Sequence, residues 1–242
     1  MKKINLFLLM FSILLISNQC VAQKSNFDNK YKFKKGDYNG IGKWYMGREI
    51  AHVMGYQGID WLERSEREKE ENVSNLIENM GIKPTDTIAD IGAGSGYHVF
   101  RMAPLANNGL IYAVDIQVEM LMEIENTKQF NKINNVETIL GSETSIQLPV
   151  RSVDKILMVD VYHEFNFPIE MIASIKNALK PEGQLFLIEY RGEDPKVPIK
   201  KIHKMTEKQA VKEMEAAGFK LKSNIKNLPW QHCMVFVLDG KN

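Results

Sequence analysis

The chain has 242 residues, 44% of them hydrophobic and 25% charged, with a formal net charge of +1. Those values suit one sizeable soluble core with an extension, and they give no reason to expect a global attraction to nucleic acid or to an anionic membrane. No internal repeat and no long low-complexity tract is present.

Residues 1–22, MKKINLFLLMFSILLISNQCVA, read as a secretory signal. Lys2 and Lys3 make the basic start, and Leu6 to Ile16 form an apolar run too short to span a bilayer comfortably. Cleavage after Ala22 predicts an exported protein, periplasmic or secreted, with no stable membrane span in the mature chain. Lipidation at Cys20 is the competing reading, disfavoured by Asn18 and Gln19, and an uncleaved anchor is a third. The only other cysteine, Cys233, lies in the apolar run HCMVFVL, so no internal disulfide framework is expected and Cys233 reads as a small buried hydrophobe.

Residues 24–45 mix lysines with aromatics and glycines. Such a mix could bind nucleic acid through stacking and phosphate contacts, but a solvated linker is the expectation. The following stretch to Gly81 reads as helical in two pieces broken near Gly55 and Gly58. Ser65 with Glu68 fits a capping box, Val73, Leu76, Ile77 and Met80 recur at helical spacing, and Gly81 is a natural stop.

From Lys83 onward, β-rich runs alternate with helical segments. The strands expected are TIADI, LIYAVD, VETIL, VDKILMVDV, GQLFLIEY, FKLKSNI and HCMVFVL. Helices are expected from about Ser95 and around 118–130, 169–179 and 206–217. This alternation predicts an α/β fold, a mostly parallel sheet covered on both faces. The last two strands are joined only by KNLPWQ, too short for a crossover helix, and so should form a C-terminal antiparallel hairpin.

Ligands of such sheets sit beyond the carboxyl ends of the strands. The first strand delivers Asp90 to Gly92, Ala93, Gly94 and Gly96, in a GxGxG spacing that lets a ligand approach bare backbone. A glycine loop alone is a weak signal. A carboxylate at Asp90 repels a pyrophosphate and favours a cationic ligand, while Asp115, closing the second strand, can accept both hydroxyls of a ribose. The site therefore asks for a nucleoside with an amino group and no phosphate, the profile of S-adenosylmethionine.

Four motifs in register carry a family resemblance. DIGAGSG, AVDIQVEML, LPVRSVDKILMVDVYHEF and ALKPEGQLFLIEY resemble, in order, motifs of the class I S-adenosylmethionine-dependent methyltransferases, from about Pro84 to Leu238. The resemblance implies a Rossmann-like seven-stranded sheet over 81–242, behind an extension over 23–80. It also implies that Asp90, Gly92 and Gly94 border the methionine end, that Asp115 holds the ribose and that Ile116 packs on the adenine. Many relatives carry Gly-Asp after the third strand, where this chain has Gly141, Ser142 and Glu143; Glu143 or a backbone carbonyl would take the adenine amino group.

The acceptor side would lie at the ends of the fourth and fifth strands, with Asp160, Tyr162, His163 and Glu164 on one and Glu189, Tyr190 and Arg191 on the other, and with His203 and His232 following. His163, oriented by Asp160 or Glu164, is the candidate catalytic base. His163, Glu164, Glu189 and His203 are metal ligands in type, but no tight motif such as HExxH accompanies them, so no metal is expected. Arg48, His52, Trp61, Arg64 and Arg67 suit a lid over the cofactor, or equally a strap that stabilises the sheet. The expectation is a methyltransferase acting on a small-molecule acceptor, with no nucleic-acid partner. A non-catalytic binding module that keeps the fold is the alternative, to which the export signal lends weight because S-adenosylmethionine is made in the cytoplasm. A nicotinamide oxidoreductase is disfavoured by the glycine spacing and Asp90.

Overall fold

The computed structural model describes residues 30–240; the expected signal segment and Cys20 lie outside them. The chain opens with strands β1 (Tyr31–Phe33), β2 (Gly40–Tyr45) and β3 (Arg48–Ala51), which pair in that order into a small antiparallel sheet. From residue 30 onward this corrects the sequence reading, in which 24–45 is a linker and a helix runs where β3 lies; residues 24–29 lie outside the described residues. Met46 and Gly47 both take positive φ, 47° and 109°, the twist a two-residue hairpin turn requires. Lys43 and Glu49 are buried within this sheet. The Lys43 ammonium sits 4.0 Å over the Tyr31 ring and 3.5 Å over the Phe167 ring, and it donates to the Asn166 carbonyl at 2.6 Å.

Short helices α1 (Ile59–Leu62) and α2 (Arg67–Glu71) lead to α3 (Val73–Met80). The expected capping box does not form: Ser65 precedes α2 without capping it, and Asn72, in the left-handed region, caps α3 by accepting from Asn75 N. Val73, Leu76, Ile77 and Met80 are all buried, as their spacing requires.

The main sheet follows, with β4 (Thr87–Ile91), α4 (Val99–Met102), β5 (Leu110–Asp115), α5 (Val118–Phe130), β6 (Val136–Leu140), β7 (Val153–Val159), α6 (Pro168–Ala178), β8 (Leu179–Tyr190), α7 (Glu207–Ala216), β9 (Phe219–Ile225) and β10 (Gln231–Leu238). Its seven strands run β6-β5-β4-β7-β8-β10-β9. Pairings among β4, β5, β6, β7 and β8 are parallel, and β10 pairs antiparallel with both β8 and β9, so the expected doubly covered sheet and terminal hairpin are borne out. One core, with Ala89, Ile91, Met158 and Leu187, packs under α6 and α7. The other, with Ile88, Ile111, Leu157 and Ile188, packs under α3 and α5. Adjacent strand residues face opposite cores, which is why these strands are apolar throughout. Cys233 is fully buried.

The order places β5 on one side of β4 and β7 on the other, so the chain reverses its direction of travel between β4 and β7. Their carboxyl ends therefore flank a crevice.

An electrostatic latch ties the two sheets together. Arg48 at the start of β3 reaches α7, with Nε 2.8 Å from Glu213 Oε1 and one terminal nitrogen 3.0 Å from Oε2. Glu213, fully buried in its side chain, also accepts from Tyr162 Oη and Gln209 Nε2.

Candidate active site

The glycine turn after β4 is held by the neighbouring strand: Gly92 N and Ala93 N both donate to the Val114 carbonyl, at 2.8 and 3.0 Å. Gly92 and Gly94 have φ of +74° and +55°, and they bring backbone against other chain segments. A Cβ on Gly92 would stand 2.5 Å from Val161 Cγ2, and one on Gly94 would stand 2.7 Å from Leu62 Cδ1. Gly96 serves a different purpose, because its Cβ would meet Phe100 and Ile124 and not the crevice. Ala93 is likewise buried outside the crevice wall.

Asp115 closes β5 as expected, and its two oxygens are oriented by backbone amides. Oδ2 accepts from Gly94 N at 3.0 Å and Oδ1 from Gln117 N at 2.9 Å. Burial raises this carboxyl and the amide hydrogen bonds pull it back. Asp90 lies just behind the turn, 2% exposed, and its Oδ2 has no hydrogen-bond partner. Burial pushes the Asp90 carboxyl up to about 8, against the pull of Arg67 and with the added repulsion of Asp115.

Two connected hollows run along this edge. The first spans about 530 Å³, part of it open to solvent, and is lined by Ile116, Ser142, Glu143, Ile146, Phe165 and Asn166, together with Gly92 and Asp115. Glu143 accepts from Asn166 Nδ2 at 2.6 Å. The second, about 1410 Å³, lies toward β7 and β8 and is lined by Gly94, Asp115, Asp160, His163, Glu164 and Tyr190, among others. Val53, Gly92, Asp115, Val161 and Glu164 belong to both walls.

Residues 53–64 form a strap across this edge, contributing Val53, Met54, Trp61, Leu62 and Arg64 to the second hollow. Met54 N donates to Glu164 Oε2 at 3.2 Å, Tyr56 N to Gln117 Oε1 at 2.8 Å, and Gln117 Nε2 to the Met54 carbonyl at 3.0 Å. Ser95 Oγ donates to Glu63. Arg64 and Arg67, which both line this hollow, pair with Glu71, which also accepts from Tyr190 Oη at 2.8 Å. His52 is exposed and lines neither hollow.

On the acceptor side, β7 ends at Val159, paired with Ile188, and β8 runs two residues further to Tyr190. Asp160 then takes φ of +50°, unusual for a residue with a side chain, and its amide donates to the Ile188 carbonyl at 2.9 Å. The turn carries His163 over the end of β8. There the expected orienting partners give way to another: His163 Nδ1 lies 2.7 Å from Oε2 of the fully buried Glu189. Asp160 instead accepts from Gln231 Nε2 at 2.6 Å, and burial raises its carboxyl, with Glu71 and Glu189 adding to the effect. His163 Nε2 faces His203 Nδ1 at 3.1 Å and Glu164 Oε1 at 3.7 Å. Burial alone would lower the His163 imidazole, but the Glu189 charge, with Glu164 beside it, overcomes that and raises it to about 10. The base role expected of His163 would first need that proton removed.

Arg191 and His232 stand elsewhere. Arg191 clamps the Leu228 and Pro229 carbonyls, and His232 sits between Glu193 and Asn224. Sequence reasoning missed Gln117, Val161, Phe165, Asn166 and the strap residues Val53, Met54 and Leu62. Of these only Gln117, two residues beyond Asp115, carried a positional signal.

Known proteins resemble the chain in sequence and in fold. The profile of a family described as a methyltransferase domain matches residues 82–233. A stretch of 102 residues is 31% identical to the tRNA U34 carboxymethyltransferase of Pseudoalteromonas atlantica, covering 41% of this chain and 30% of that protein. Another, of 143 residues, is 29% identical to the uncharacterized methyltransferase YdaC of Bacillus subtilis, covering 59% of this chain and 76% of that one. The chain spans only about a third of the carboxymethyltransferases it matches, 30%, 37% and 31% of three of them. A SAM dependent methyltransferase from Aquifex aeolicus superposes with a TM-score of 0.71 at 22% identity, over 76% of this chain and 98% of that one, a likeness that bears on the fold alone. Among the described residues, no helix is long and apolar enough to cross a membrane.

Proposed function

Because the chain belongs to the methyltransferase-domain family, we propose that it transfers a methyl group from S-adenosylmethionine to a small-molecule acceptor held between the ends of β7 and β8. The fold implies this cofactor, and the residues present fit it. The Asp115 carboxylate, set by two backbone amides at the mouth of both hollows, keeps lone pairs for a pair of ribose hydroxyls. That placement is the observation that carries the reading. Ile116, Ile146 and Phe165 give the smaller hollow apolar walls for a base, and Glu143 or a backbone carbonyl beside it is an acceptor for an exocyclic amine. The turn at Gly92 and Gly94 has no room for a Cβ, and the unpartnered Asp90 oxygen lies buried behind it, outside both hollows.

S-adenosylmethionine supplies a methyl group already activated on a sulfonium, so the protein's work is to align the acceptor and exclude water. Val161 fixes the wall beside Gly92, and the strap and the turn bearing His203 cover the second hollow. His163, Glu164 and His203 are the polar groups an acceptor's nucleophilic atom would meet there. A small acceptor is favoured over a folded RNA by the cover of the strap and by the chain's net charge of +1. We further propose export, supported by the basic start and apolar run of residues 1–22; the mature N-terminus, read by mass spectrometry from fractionated cells, tests it.

Asp115→Ala tests the cofactor site. Two hydrogen bonds to an ionised group, at about 1.5–3 kcal/mol each, predict at least a 100-fold loss of S-adenosylmethionine affinity by calorimetry, with the fold retained. Unchanged binding would refute the assignment. Turnover of a metabolite panel against bulk tRNA, read as S-adenosylhomocysteine release, separates a small acceptor from an RNA.

A further inference from the structure

Three donor atoms converge on one point at the acceptor end of the crevice. His163 Nε2 and His203 Nδ1 are 3.1 Å apart, and Glu164 Oε1 lies 3.7 Å from the first and 3.6 Å from the second. Around a tetrahedral zinc ion with bonds of about 2.0–2.2 Å, neighbouring donors stand roughly 3.3–3.6 Å apart. The three separations match that triangle to within a few tenths of an ångström. Among the described residues this is the one group of three or more histidine, cysteine, aspartate or glutamate side chains that meets in this way.

The atoms behind the three donors are arranged as an outer shell would be. The second nitrogen of His163 is engaged by Glu189 at 2.7 Å, which orients the ring so that a metal ion displacing the Nε2 proton meets that nitrogen's lone pair. The second oxygen of Glu164 accepts from Met54 N, leaving Oε1 forward. Glu164 and Glu189, both buried, together supply the two negative charges that neutralise a divalent ion in a low-dielectric setting. Two imidazoles and a carboxylate suit first-row transition ions and not magnesium or calcium.

We propose that His163, Glu164 and His203 form a binding site for a divalent transition-metal ion of zinc's class, with its remaining coordination positions facing the crevice. All three side chains line that crevice. Three protein ligands with an open side are the arrangement of metal sites that bind a further ligand, whereas purely structural sites are closed by four. An oxygen, nitrogen or sulfur atom of an acceptor could occupy the open side. The metal site itself stands on the donor geometry and does not depend on the methyl-transfer reading.

The test uses the full chain without any affinity tag, stripped with chelator and dialysed against micromolar Zn²⁺, with bound metal counted by mass spectrometry. Co²⁺ titration gives a second readout, visible absorption bands of a four-coordinate ion. We expect one metal ion per chain, and at least a 100-fold weaker affinity in His203→Ala and Glu164→Gln. Glu189→Gln, which alters only the outer shell, should weaken binding roughly 10- to 100-fold. His203 is at the surface end of the group, 24% exposed in its side chain, so its variant is the one expected to fold normally, as circular dichroism would verify. Failure of the wild-type chain to retain zinc, or equal retention by His203→Ala, would overturn the site and leave a proton shared by the two imidazoles in its place. Calorimetry with S-adenosylmethionine on the same samples keeps the readings apart. Cofactor binding without metal removes only the metal site, and metal binding without cofactor removes only the methyltransferase reading.

Discussion

Asp90 offers a prediction whose size follows from its surroundings. Its carboxyl is 2% exposed, its Oδ2 lacks a hydrogen-bond partner, and burial raises its pKa to about 8, with Arg67 pulling it down and Asp115 pushing it up. In the unfolded chain the same group titrates near 3.9. Between those values the native protein keeps the proton and the unfolded chain has lost it, so the unfolded state binds fewer protons and stability falls as pH rises. The cost is absent below about pH 4, grows by about 1.4 kcal/mol per pH unit and levels off above about pH 8. Asp90→Asn is nearly isosteric and cannot ionise. Urea melts of both proteins at about pH 5, 6 and 7 should therefore show the variant gaining on the wild type by about 3 kcal/mol across the range. Taking the difference cancels the other titrating groups. A stability difference that stays flat with pH would refute the raised carboxyl and the account of its burial.

Other perturbations follow from the same geometry. Gly92→Ala puts a methyl 2.5 Å from Val161 at φ of +74°, so thermal melts should show a loss of about 1–2 kcal/mol from backbone strain alone, more with the clash. Cofactor affinity should fall with it, and an unaffected Tm would contradict the tight approach. Arg48→Met removes the cation from a pair whose carboxylate, Glu213, is fully buried in its side chain, and should cost about 3–5 kcal/mol in chemical denaturation. A loss under 1 kcal/mol would mean that Tyr162 and Gln209 satisfy Glu213 unaided.

The strands from Thr87 onward were legible because each is an apolar run bounded by turn residues, and both faces of the sheet are covered. VETIL and FKLKSNI begin and end where the sequence reading put them. The N-terminal sheet was not legible, for local reasons. Its hairpin turns on Met46–Gly47 and not on an Asn-Gly pair, and Lys43 and Glu49 point inward, which hides the alternation of a strand. At the site, the glycine turn and Asp115 were legible because strand ends fix them. Glu189 as the partner of His163 was not, since it depends on the register in which β7 pairs with β8, which no single strand encodes. The meeting of His203 with His163, 40 positions apart in sequence, likewise depends on the path taken by the chain after β8.

The strap over residues 53–64 sets a limit on exchange. A molecule resting on Gly92 and Asp115 would share its walls with Val53, Met54 and Leu62, and the strap is pinned by the hydrogen bonds of Met54, Tyr56 and Gln117, by the Ser95–Glu63 contact, by Arg67 on the Leu62 carbonyl and by the Arg64 pairs with Glu70 and Glu71. At a net ~0.5–1.5 kcal/mol each, such bonds hold the segment down, and a molecule passing beneath it would have to break them. Arrival and departure then share one door. On the proposed reading, its opening frequency would cap how often a spent nucleoside is swapped for a fresh one, however fast the bond-making beneath it.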